Sequence, residues 1–137
     1  MRRQLIAHLI VVMVLGGCST EVKPPDLCKM PPNFRTWDGA SVRWRGVLVG
    51  TGYHGVALLA EGCRRGIPLE WNERPIDAEM SKITSFQRPS GLTRVDMSGK
   101  LVRNSERVAL RVKSLNEHSF QPMSADQEGA YFRSRGF

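Results

Sequence analysis

Cys18, Cys28 and Cys63 are the side chains in this sequence best suited to covalent chemistry. A thiol can be a nucleophile, a metal ligand, a disulfide partner or an attachment point. No two of the three form a CxxC pair, so a dithiol redox centre has no sequence basis. Cys28, Cys63, His54 and His118 are ligand types that zinc favours, yet structural zinc sites take their cysteines from closely spaced pairs, and these spacings match no such pattern. His54, within Tyr53-His54-Gly55, fits a hairpin turn, and His118 falls in a polar stretch where it would be solvated. The sequence contains no GxSxG elbow, no HExxH pair and no phosphate-cradling glycine loop. It reads as a non-enzyme with no metal and no cofactor.

The arginines are the second source of chemistry. In Val42-Arg43-Trp44-Arg45 the two guanidinium groups share one face of an extended chain and Trp44 takes the other. Arg64 and Arg65 follow Cys63, and Arg94, Arg103, Arg107 and Arg111 come later. A guanidinium presents planar donors that can pair with two oxygens of a carboxylate or phosphate, so Arg43, Arg45, Arg64 and Arg65 are candidate anion-binding residues. The alternative is that they keep the outward faces of strands wet. The whole chain carries 20 basic and 13 acidic residues, for a net charge of +7. That balance suits an acidic partner of any kind and selects none. A single-stranded nucleic-acid site would also need exposed aromatics for stacking, and aromatics are only 7% of the chain.

The elements that position these groups follow from periodicity. Val42 to Val49 alternates basic and apolar residues as a strand does, with Gly46 marking a bulge or sharp bend. Gly50-Thr51-Gly52 is a turn, and Gly55 to Ala60 a second strand. Ile67 to Trp71 is a short third strand that Pro68 would confine to an edge. Pro75 suits the first turn of a helix, where Asp77 and Glu79 favour the positive end of its dipole. Ile76, Met80 and Ile83 then form one apolar stripe, and Pro89-Ser90-Gly91 ends the segment. Strands are expected over about Leu92 to Val102 and Arg107 to Leu115. Asn116 to Phe137 is polar and aperiodic and is expected to be a loose tail.

Met1-Arg2-Arg3 followed by an apolar run from Leu5 to Leu15 is a charged start and a short apolar middle, too short to span a bilayer as a stable helix. The ending Leu15-Gly16-Gly17-Cys18 resembles the lipobox of bacterial lipoprotein precursors: an aliphatic residue, two small residues and the cysteine. The resemblance implies cleavage before Cys18, a diacylglyceryl group on its thiol and acylation of the freed amine, so residues 1–17 are a signal peptide. Ser19 after the cysteine, where an inner-membrane retention signal would show Asp, favours the outer membrane, facing the periplasm. Removal of Arg2 and Arg3 leaves 18 basic residues against 13 acidic. Residues 18–40, with Pro24, Pro25, Pro31 and Pro32, read as an extended tether whose second half is pinned through Cys28.

With Cys18 acylated and the chain exported to an oxidising compartment, Cys28 and Cys63 are left to pair as a disulfide. In the chain-entropy model a loop of about 35 residues makes such a bond worth roughly 3 to 4 kcal/mol. Three strands, a helix and two strands over residues 41–115, with a glycine in the first strand, resemble the order of an OB-fold. The expected fold is mainly β, a small five-stranded OB-like barrel with one helix between strands 3 and 4. An unclosed five-stranded sheet on one helix is the alternative. Val42-Arg43-Trp44-Arg45-Gly46-Val47 with His54 and Cys63 also resembles small uncharacterised envelope lipoproteins. The expected function is a membrane-anchored, non-enzymatic binding module for an anionic envelope glycan or lipid, or for an envelope protein, with no nucleic acid among its partners. The alternative is a structural accessory subunit of an envelope complex whose tail and tether make the contacts.

Overall fold

A computed structural model describes residues 25–30, 37–50, 55–85, 87–104 and 107–137. The lipobox, Cys18, the first part of the tether and His54 lie outside the described residues. Five strands close into a barrel in the order β1-β2-β3-β5-β4. They are β1 (Ser41–Gly50), β2 (Val56–Leu59), β3 (Gly66–Glu70), β4 (Gly91–Arg103) and β5 (Val108–Pro122), with α1 (Arg74–Ile83) between β3 and β4 and α2 (Ala125–Arg133) after β5. The expected OB-like barrel is thus present, with a second helix that the sequence reading did not include.

Neighbouring strands are antiparallel except β3 and β5, whose parallel pairing through Leu69↔Leu110 and Glu70↔Arg111 closes the barrel. Closure corrects the reading of Pro68. β3 is not an edge strand, because β2 pairs with it on one side (Ala57↔Pro68) and β5 on the other. Pairing with β5 begins only at Leu69, so the missing amide of Pro68 removes no bond from that ladder.

Gly46 also differs from expectation. The β1–β4 register runs unbroken across it, from Arg45↔Asp96 through Gly46↔Val95 to Val47↔Arg94. The irregularities lie instead between β4 and β5, at Arg94/Val95 and Ser98/Gly99. Glycine is needed at position 46 for close approach, since a Cβ there would sit 2.4 Å from the Leu59 carbonyl oxygen.

The main core gathers Leu58, Ile67, Val95, Leu101, Leu110 and Val112 inside the barrel, joined by Ile76, Met80 and Ile83 of α1. Burial of each such side chain contributes roughly 1.5 to 3 kcal/mol. α1 starts with Pro75 in its first turn, and the carboxylate of its N-cap, Glu73, accepts from Lys113 Nζ at 2.8 Å. Before the barrel, Leu27 and Met30 are buried in the same core, and Trp44 Nε1 donates to the Pro25 carbonyl at 3.3 Å. Residues 25–30 of the expected tether are therefore part of the folded unit.

The stretch from Asn116 onward is a correction. β5 continues to Pro122 by pairing with β4, and Ser124 caps α2 through a capping box with Gln127. Met123, Tyr131 and Phe132 then cover Val47, Val49, Leu59 and Leu92, a small second core on the outside of the barrel. This cover explains why β1 alternates up to Arg45 and is buried continuously from Gly46 to Val49. Among the described residues no helix is long and apolar enough to cross a membrane.

Candidate functional site

β1 holds Arg43 and Arg45 on its outer face because Val42 and Trp44 between them are drawn into the core. Across the β1–β4 ladder Arg43 lies opposite Ser98, and Arg45 opposite Asp96. Arg45 forms a two-point pair with Asp96, Nε donating to Oδ1 at 2.8 Å and a terminal nitrogen to Oδ2 at 3.1 Å. Hydrogen bonding to Arg45 holds the Asp96 carboxyl below its ordinary pKa, opposed by desolvation and helped by the nearby charges of Arg45, His118 and Arg43. The same hydrogen bond raises the Arg45 pKa. His118 lies in β5, exposed, with Nδ1 3.8 Å from Asp96 Oδ2. Neighbouring strand pairing thus places His118 at this site.

Arg43, Trp44 and Arg45 line one wall of a cleft of about 510 Å³. The other walls are the short 3-10 turn Leu27–Lys29 and the start of the β2–β3 connection at Glu61 and Gly62. Cys28 and Cys63 lie side by side in disulfide geometry, with Cα atoms 5.8 Å apart, and would lock these two walls together. Arg64 and Arg65 do not line the cleft. They sit on the turn that carries Cys63, Arg64 exposed and Arg65 half-buried, where the Arg65 carbonyl accepts from the Ala60 amide at 2.9 Å. The structure therefore groups Arg43 with Arg45 and leaves Arg64 and Arg65 on the turn at the rim.

The carboxylates around the cleft already face cations. Glu61 accepts from Arg94 Nε at 2.6 Å, Asp96 is held by Arg45, and Asp26 is 3.8 Å from Lys29 Nζ. Arg43 has no ion pair among the described residues, and neither do Arg64 and Arg65. An exposed guanidinium without a carboxylate partner, in a concave wall beside Lys29 and Arg45, can pair with a phosphate or carboxylate brought from outside. Lys29, Glu61 and Asp96 escaped the sequence reading, and Arg94 was named there without a partner, because their proximity depends on strand register and on the Cys28–Cys63 link.

A second depression of about 370 Å³ lies between α2, the end of β1 and the α1–β4 connection. Its charged groups are occupied: Arg88 pairs with Glu117, and Glu128 accepts from the Gly91 amide at 2.7 Å. It offers a charged ligand less than the first cleft does. Among the described residues no group of three or more His, Cys, Asp or Glu side chains converges as metal ligands would. Comparison with protein-family models, with curated proteins and with solved structures finds no match to this chain, so its likeness to OB-folds rests on strand order alone.

Proposed function

We propose that this chain is a lipid-anchored protein of the bacterial envelope, acylated at Cys18 and facing the periplasm from the outer membrane. Its barrel acts as a non-enzymatic module that binds an anionic group through the Arg43–Arg45 cleft. The observation that carries this reading is Arg43, an exposed guanidinium in the wall of a 510 Å³ cleft with no ion pair among the described residues. Arg45 and Lys29 add positive potential beside it, and the Cys28–Cys63 pair keeps the walls in register. The exterior favours a polar ligand over an apolar protein face: among the described residues Phe137 is the exposed large hydrophobic side chain, at 48%.

The accessory-subunit reading loses one of its supports, since the C-terminal segment is folded onto its own barrel as α2 and is not free to serve as an arm. The deciding experiment is affinity capture of the full-length, tagged chain from gently solubilised envelopes, followed by mass spectrometry of proteins, lipids and glycans. The expected result is an acidic lipid or glycan lost on raising salt, and weakened about tenfold or more in Arg43→Ala/Arg45→Ala, since hydrogen bonds to charged groups are worth about 1.5 to 3 kcal/mol. A stoichiometric protein partner that survives both changes would replace this reading with the accessory-subunit one.

A further inference from the structure

We infer that the anionic partner of the cleft is the phospholipid surface that carries the anchor, so that the barrel lies with its Lys29, Arg43 and Arg64 face against acidic headgroups. This rests on acylation of Cys18, as proposed above. Three observations lead to it. Only six residues lie between Cys18 and Pro25, where the chain joins the barrel, and at about 3.3 to 3.6 Å per residue the seven steps reach no farther than about 25 Å. Pro25 is fixed to the cleft itself, because its carbonyl accepts from Trp44 Nε1, and Asp26 to Lys29 form one cleft wall. An anchored chain therefore keeps this wall within reach of the bilayer, and charge decides whether it is the face turned to it.

Charge then sets the orientation. Lys29 is 77% exposed at its side chain and Arg45 is 54% exposed, and Arg43 and Arg64 lack carboxylate partners among the described residues. A basic residue held at an acidic leaflet gains about fivefold in occupancy, an effect that fades beyond a Debye length of about 8 Å. Two unpaired guanidinium groups on an already tethered face thus bias the orientation by about twentyfold or more. Lys82 provides a contrast. It closes α1, whose end packs by Leu48 to Gly50, at the far end of β1 from Arg43.

The test uses the full lipidated chain, purified and reconstituted in vesicles of phosphatidylcholine alone or with phosphatidylglycerol. Acetylation by trace acetic anhydride, an uncharged reagent, is read lysine by lysine by mass spectrometry. The expected result is that phosphatidylglycerol slows Lys29 by about fivefold or more and Lys82 by less than twofold. Salt at about 0.5 M should remove the difference, as should Arg43→Glu with Arg64→Glu in a chain whose circular dichroism is unchanged. Equal Lys29 rates in the two vesicles, or stronger shielding of Lys82, would overturn the orientation while leaving the anchor intact. The mass of the purified protein reads the anchor separately: absence of a diacylglyceryl group on residue 18 overturns both.

Discussion

Gly99 and Gly50 should respond with opposite sign to the same substitution. Gly99 lies in β4 at a register shift against β5, with its backbone packed on the opposite strand. A Cβ at this position would fall 2.1 Å from the Arg111 carbonyl oxygen and 2.9 Å from its carbon, with Leu110 Cδ1 at 3.1 Å. The first two contacts are backbone, which cannot rotate away, so Gly99→Ala must push β4 and β5 apart or bend the bulge. Overpacking of this kind costs about 1 to 3 kcal/mol, and the entropic gain of replacing glycine in a strand recovers only about 0.5 to 1. A net loss of about 1 to 2 kcal/mol corresponds to a fall in Tm of roughly 4 to 16 °C for a domain of this size. At Gly50, the last residue of β1, nothing among the described residues lies within 4 Å of the added carbon and φ is not positive. Gly50→Ala should therefore leave Tm unchanged or raise it slightly. Thermal unfolding of both variants, followed by circular dichroism without reductant, decides the matter. A Gly99→Ala protein within about 0.5 kcal/mol of the parent, or an equal loss in Gly50→Ala, would refute the close strand approach on which the barrel is built.

Three further outcomes follow from the same contacts. Cys28→Ala/Cys63→Ala should lower stability by about 3 to 4 kcal/mol in urea titration, because the separation of 35 residues fixes the loop closed in the unfolded chain. Leu27 and Met30 keep the segment seated in the folded state, so a native spectrum should persist in water. The Asp96 carboxyl, held low mainly by its hydrogen bond from Arg45, stabilises the fold above its unfolded pKa, and this contribution disappears as pH falls through the lower folded value. NMR titration of Asp96 should show its pKa move back up in Arg45→Ala, and a titration that does not move would remove Arg45 as the cause. Phe132→Ala should cost about 1 to 2 kcal/mol, less than a fully buried aromatic, and should increase binding of a hydrophobic dye as Val47, Val49 and Leu92 lose cover. Unchanged dye binding would mean that α2 does not shield the outer strip.

Much of the barrel could be read locally. Alternation in β1, the stripe Ile76, Met80 and Ile83, and Pro75 in the first turn of α1 are short-range signals, and each element formed where they place it. The Cys28–Cys63 partnership was also legible, as the pair left over once Cys18 is assigned to lipid. The C-terminal region was not. Asn116 to Ser119 are all exposed although they lie in a strand, because their inward alternation is interrupted at the register shift beside Arg94/Val95. The capping box of Ser124 and Gln127 was present in the sequence, but Tyr131 and Phe132 are too few to mark an apolar face.

The sequence by itself determined the strands and the helix from β1 to the first half of β5, and that Arg43 and Arg45 share the face opposite Trp44. Each of those depends on side-chain period and on neighbours a few positions away. Only the tertiary structure decided that β3 and β5 close the barrel, that Arg45 is taken by Asp96 while Arg43 is not, and that α2 covers the outer strip. These contacts join residues far apart in the chain, 51 positions for Arg45 with Asp96 and 41 for Glu70 with Arg111, and depend on strand register. A shift of one residue in that register would exchange the inward and outward faces, so packing of the whole core, and no local preference, selects it.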